Sequence, residues 1–259
     1  MIGAHPARIA GLALGVAVTM LLGGCNSADT ADSAAKTSDE NATPSSGQTA
    51  AEPNEPADIT EVPDGASLEP GEYVMPLLFG DGSMQAVVHM PAGYFTMTGV
   101  DSAVISDGSV QPPHHYGDLA FWAKVDKVDI DPCQDGRVTS AGTTVHDLVA
   151  ALVNRPHFAT SRPVKTSIGG YSGVLLKSTG PRSLAGCDEG LRILGAHTAD
   201  GVVWLSSFGD KPTHFYHWII NVDGQRIVAG VRIDPESTEH PKELIGIVQS
   251  ARFVDGDAG

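Results

Sequence analysis

Histidine is the residue type with most scope for chemistry in this chain. His114 and His115 adjoin, and His146, His157, His197, His214, His217 and His240 follow. Imidazole titrates near neutrality, so it can move protons or ligate a metal. His214-Phe215-Tyr216-His217 has the spacing that brings two rings to one face of a helix. The segment reads as a strand, however, where residues i and i+3 point to opposite sides. A metal there would need a further ligand such as His114 or His115, and no metal site is predicted.

Carboxylates are the second resource. In a strand Asp129 and Asp131 share a face, with Asp126 close by, and Asp188 and Glu189 adjoin. Calcium takes such oxygens, but the Gly-containing loop and closing Glu of a calcium-binding hand are missing, so a solvated face or turn is the simpler reading. Gly170-Tyr171-Ser172-Gly173 is one residue short of the Gly-x-Ser-x-Gly elbow and lies between predicted strands. Ser172 therefore reads as a turn residue and not as a nucleophile. No Gly-x-Gly-x-x-Gly opens a helix after a strand and no Gly-Lys-Ser/Thr occurs, so the phosphate cradle of nucleotide sites is lacking and no cofactor is predicted. Pro112-Pro113-His114-His115-Tyr116 is an extended loop, because residues before proline avoid the helical region. It could rim a pocket with Tyr94, Phe95 and Trp122, or those aromatics could simply cover a sheet end.

The elements that position these residues follow from periodicity. Glu72 to Phe79 and Met84 to Met90 flank Gly80-Asp81-Gly82-Ser83, a hairpin pattern. Asp118 to Ile130 alternates and then shifts phase at Val128. Thr143 to Asn154 carries Val145, Leu148, Val149 and Leu152 at helical spacing, with Thr144 and Asp147 as a cap pair and Pro156 beyond the end. Strands are predicted at 164–168, 173–178, 191–198, 202–208, 215–222 and 226–233, with Asp-Gly turns at Asp200-Gly201 and Asp223-Gly224. A second helix spans 241–250, and Phe253 completes a terminal strand or plug. The pattern predicts an α+β fold, one antiparallel sheet flanked by two amphipathic helices.

Ahead of this lies a different kind of sequence. Arg8 precedes the apolar run Ile9 to Leu22, which is shorter than the roughly 20 residues a membrane-spanning helix needs and has the form of a secretory signal. Leu22-Gly23-Gly24-Cys25 resembles the lipobox of bacterial lipoproteins. That resemblance implies cleavage before Cys25, acylation of its sulfur and anchoring at the extracytoplasmic face of the cell membrane. Residues 1–24 are then a signal peptide and 25–69 a lipidated cysteine with an acidic tether. In the tether ten carboxylates face only Lys36, about −9 of the total charge of −15. With hardly any large apolar side chain it cannot offset its ordering entropy, and disorder is predicted. Residues 70–255 form one domain and 256–259 a disordered tail. The domain itself is acidic and carries no basic patch, so nucleic acid is excluded as a partner.

With Cys25 consumed by lipid, Cys133 and Cys187 remain in an exported chain, where a pair of thiols oxidises, and a Cys133–Cys187 disulfide is predicted. Neither thiol has a second Cys or His at zinc-ligand spacing.

The order of helix, Gly-Gly-Tyr-Ser-Gly strand (Gly169 to Gly173), cysteine, Trp-bearing strand, Val-Asp-Gly hairpin and closing Leu244 to Phe253 resembles uncharacterised exported bacterial proteins. It is also similar to the PsbP/Mog1/LpqN-like fold. That resemblance implies a small binding or assembly protein, not an enzyme. The expected function is thus a membrane-anchored exported lipoprotein whose head is a non-catalytic binding module for an unknown small molecule or envelope protein. The alternatives are a cell-envelope hydrolase pairing His114 or His217 with a carboxylate, or a carrier of lipid or apolar solute with a dry cavity between sheet and helix.

Overall fold

A strand can bury both faces only if something covers each, and the longest strands here carry apolar residues on both. The computed structural model describes residues 55–256 except 100–101, 107–116, 135–136, 184, 188–190, 199–200, 208–211 and 234–240. In chain order the elements are β1 (Ala57–Asp58), β2 (Gly71–Pro76), β3 (Met84–Met90), β4 (Phe95–Gly99), β5 (Ser102–Ser106), β6 (Gly117–Ala123), β7 (Lys127–Asp129) and β8 (Val138–Ser140). Next come α1 (Val145–Val153), β9 (Ala159–Thr160), β10 (Val164–Ile168), β11 (Tyr171–Thr179), β12 (Leu191–Thr198) and β13 (Gly201–Ser207). The chain closes with β14 (His214–Val222), β15 (Gln225–Ile233), α2 (Pro241–Ser250) and β16 (Arg252–Asp255).

The central sheet has the order β10-β11-β14-β15-β6-β5-β4, with β9 also on β11, and all its pairings are antiparallel. Strand alternation divides its side chains into two cores. Trp218, Ile220, Val222, Phe121 and Ala229 join Met75, Val88 and Met90 of β2 and β3 and Leu244, Ile247 and Val248 of α2 in one cluster. Phe215, Ile219, Trp122 and Val228 meet Leu148, Val149 and Leu152 of α1 in the other. Tight approach in this second core explains Gly230, where a Cβ would strike the ring of Trp122.

The expectation of one sheet needs correction. The class is α+β and mostly β, but β1-β2-β3-β16 and β13-β12-β7-β8 are separate sheets. One face of the central sheet is thus covered by strands as well as by α2. The predicted strand from Asp118 to Ile130 breaks at Lys124, whose φ of 53° lies in the left-handed region and turns the chain into β7. The tether boundary also moves. Residues 55–69 are built onto the head: β1 pairs in parallel with β2, and Ile59 and Leu68 are 0% and 2% exposed. Two apolar side chains in an otherwise acidic run are enough to dock it, because a buried Ile or Leu contributes about 1.5–3 kcal/mol. At the other end Gly256, assigned to the tail, donates its N–H to Ser83 O at 3.0 Å. No helix among the described residues is long and apolar enough to cross a membrane.

Candidate functional site

Helix α1 organises both regions where polar groups gather. Its start is fixed as the sequence predicts: Thr144 Oγ1 accepts the Asp147 N–H at 3.1 Å and Asp147 Oδ2 accepts the Thr144 N–H at 3.0 Å. This reciprocal cap satisfies two amides that would otherwise lack partners. Hydrogen bonds from Thr144, side chain first, hold the Asp147 carboxyl below its ordinary 3.8.

Beside this end lies an open cleft of about 810 Å³ between α1, the β10–β11 edge and the β14–β15 hairpin. Thr144, His146, Lys165, Ser172 and Arg226 are among the residues lining it. Arg226 is a clamp. Its Nη1 donates to Ala141 O at 3.0 Å and Thr144 O at 2.7 Å, and its Nη2 donates to Val125 O. Burial lowers its pKa, with the Asp147 and Asp126 charges opposing. Lys165 and His146 are exposed, so they face solvent across the cleft. The hairpin turn uses Asp223 (φ 49°) and Gly224 (φ 91°), the pair of positive angles a tight two-residue turn demands.

The other end of α1 is dry. After the C-cap Asn154, the Arg155 guanidinium carbon lies 4.5 Å from the ring centre of Phe158, which meets Phe215 edge-on at 5.9 Å. Phe215 stacks along His217 at 6.4 Å, since both lie on one face of β14. Arg155, His217 and Asp129 are all buried. Burial lowers the Arg155 pKa to about 10 against the opposing Asp129 charge, so the guanidinium stays charged. Burial, and then the Arg155 charge, push His217 down to about 3, so it is neutral at physiological pH.

One layer outward, His157 holds a left-handed backbone (φ 67°) that sets its Nε2 3.1 Å from Asp131 Oδ1. The same oxygen accepts the Cys133 N–H at 2.9 Å. Cys133 and Cys187 lie at disulfide distance, with Cα atoms 4.3 Å apart.

Several predicted groupings do not form. His217 is buried while His214, on the opposite face, is exposed and bonded to Thr179 Oγ1 at 3.1 Å, so they hold no metal together. Asp129 is buried while Asp131 sits in a turn beyond β7, so no shared wet face exists. Tyr94 belongs to the α2-side core and Trp122 to the α1-side core, so they rim no common pocket. Ser172 is not in the turn but is the second residue of β11, and no hydrogen bond joins it to His146 among the described residues. His114, His115, Asp188 and Glu189 lie outside the described residues, as does Cys25. Sequence reasoning missed Arg155 and Arg226 and gave His157 no role. The available signal was Arg155-Pro156-His157-Phe158, a compact set of polar and aromatic groups directly after a helix.

No family model matches the chain, and no curated protein matches it. Among solved structures it is similar to LpqN, described as involved in cell envelope biogenesis of Mycobacterium tuberculosis. The TM-score is 0.39 and the identity 12%, over 72% of this chain and 92% of that one.

Proposed function

We propose that the chain is an exported lipoprotein, acylated at Cys25, whose α+β head is a non-catalytic binding module that uses the cleft at the start of α1. The observation that carries the binding role is chemical. The cleft offers hydroxyls, an exposed ammonium and an exposed imidazole, while the buried charged groups lie at the opposite end of the helix. Arg226, the cation with the most directed geometry, is spent on three backbone carbonyls and so shapes the cleft instead of reacting in it. The anchor is supported by Leu22-Gly23-Gly24-Cys25 after a short apolar run, and two acyl chains suffice for stable attachment where one does not.

Cell fractionation of wild type and Cys25→Ala tests the anchor. Wild type is expected in the membrane fraction and the variant in the soluble one; equal membrane retention rejects acylation as the tether. A native mass spectrum of the exported chain tests the binding role. A co-purified small molecule whose occupancy falls in Lys165→Ala supports it, and identical occupancy in both proteins removes the cleft from consideration.

A further inference from the structure

Four donor-bearing side chains meet beyond the C-terminal end of α1. One ligand atom each from Asp131, Cys133 and His157 lies within 4.8 Å of the other two, and Cys187 is joined to Cys133. We infer that this cluster is a redox-gated zinc site, closed while the Cys133–Cys187 disulfide is intact and completed when a dithiol reductant opens it.

The donor set is right for zinc. Two thiolates, a neutral imidazole and a carboxylate are all ligands this ion takes, and four of them make its tetrahedral shell. Softer thiolates and an imidazole also select against magnesium and calcium, which prefer oxygen alone. Bond lengths of about 2.0 Å to N or O and 2.3 Å to S put the corners of such a tetrahedron roughly 3.3–3.8 Å apart. The present separations of up to 4.8 Å therefore need a contraction of about an ångström, within the reach of side-chain rotation. The two sulfurs, now bonded, need only separate to that same spacing.

The chain brings the four donors from three segments. Asp131 and Cys133 come from the turn after β7, where Asp131 Oδ1 already bonds the Cys133 amide. Cys187 follows Gly186, whose φ of 95° suits the turn between β11 and β12. His157 is presented by a left-handed backbone, a conformation that a non-glycine residue keeps only where the surroundings demand it. Its imidazole is 40% exposed and the Asp131 side chain 21%, so an ion can enter from solvent. Cys133 is buried, which gives the site a dry floor.

The step balances simply. The dithiol transfers two electrons and two protons, the Sγ–Sγ bond breaks, and each sulfur leaves as a thiol while the reductant becomes a disulfide. Zinc then displaces both thiol protons to solvent and binds two thiolates, the imidazole nitrogen facing Asp131 and one Asp131 oxygen. This site is separate from the cleft, and its failure would leave the binding reading untouched.

The test uses cobalt as a spectroscopic stand-in for zinc. The full chain carrying Cys25→Ser, so that no third thiol interferes, is reduced anaerobically with a dithiol, freed of excess reductant and titrated with Co²⁺. One equivalent should give a thiolate-to-cobalt charge-transfer band with the visible bands of a tetrahedral ion, and Zn²⁺ should abolish both. The oxidised chain should give neither. Since losing even a supporting group around a metal costs about 10- to 100-fold, His157→Ala and Asp131→Asn should each weaken Co²⁺ binding by more than ~10-fold after reduction. Both variants retain Cys133 and Cys187 and so can fold with the disulfide in place, and circular dichroism of the oxidised forms checks that the native fold is kept. Absence of the charge-transfer band in the reduced chain, whether it stays folded or not, overturns the inference. So does a band that is unchanged in both variants.

Discussion

The two ends of α1, about 13 Å apart along the axis of this nine-residue helix, handle polar groups in opposite ways. At the first turn Thr144 and Asp147 satisfy each other in water, and Arg226 reaches only backbone oxygens. Beyond the last turn Arg155, Asp129 and His217 are withdrawn from solvent and held by aromatic rings and by one another's fields. The first arrangement can lose a side chain cheaply and still offer a surface to a ligand. The second cannot, because a buried charge left without its counterpart has nowhere to find solvation. One helix thus separates the proposed binding surface, where side chains are replaceable, from a fixed polar interior.

Removing the guanidinium should expose that difference most sharply. Arg155→Met keeps much of the volume but strips the opposing charge from buried Asp129, and breaking a buried pair from one side costs about 3–5 kcal/mol. Urea denaturation monitored by tryptophan fluorescence reads this directly. A loss below 1 kcal/mol, roughly that of an exposed pair, would break the comparison. Opening the disulfide comes next. The cysteines are 54 residues apart, and constraining an unfolded loop of that size is worth about 4 kcal/mol at most, less any strain. The double variant Cys133→Ser/Cys187→Ser, compared with wild type in the same denaturant series, should unfold at lower urea without a loss of native secondary structure.

Acid should act through His217. Its folded pKa of about 3 lies below the ordinary 6.5, so the unfolded chain binds the proton more readily. The stabilisation from keeping it neutral is therefore complete above about pH 6.5 and is lost progressively as pH falls towards 3. At about 1.4 kcal/mol per pH unit, wild type should be about 2 kcal/mol less stable at pH 5 than at pH 7.5 from this group alone. His217→Gln should lose that part of the slope, and an unchanged slope would show that the ring is not the group titrating.

What was legible beforehand follows the same division. The start of α1 was readable because a cap is local: Thr144 and Asp147 sit three apart, and their chemistry needs nothing else. The turn at Asp223-Gly224 was readable for the same reason. The Cys133–Cys187 pairing came from parity of thiols, not geometry. The far end was opaque because its partners are assembled by the sheet: β14 brings His217 beneath a segment more than fifty residues earlier, and Asp131 meets His157 only after α1 has crossed between them. A cation just past a helix end ordinarily reads as a solvated complement to the dipole, which is why Arg155 gave no warning of burial. The division into three sheets among the described residues was hidden too, since alternation identifies strands but not their neighbours. Ile59, a large apolar side chain amid carboxylates, was the overlooked sign that the folded head begins before residue 70.

Smaller effects belong to the exposed end. Thr144→Ala removes one half of the reciprocal cap and should cost about 1 kcal/mol. Asp147, held below its ordinary carboxyl pKa, contributes stabilisation that is present above pH 3.8 and is lost as pH falls through its lowered value. In Thr144→Ala that acid-sensitive contribution should shrink, because the bond that lowers the pKa most has gone.

Lys165→Ala should do least of all to the fold. The ammonium is exposed on β10 and lines the cleft, and a surface substitution of this kind stays within about 0.5 kcal/mol. Its effect should instead appear in ligand occupancy, so the pairing of unchanged urea midpoint with reduced retention is the signature of a binding residue. A midpoint shift as large as that of Thr144→Ala would mean that Lys165 supports the helix cap, and the two ends of α1 would then differ in degree of burial but not in purpose.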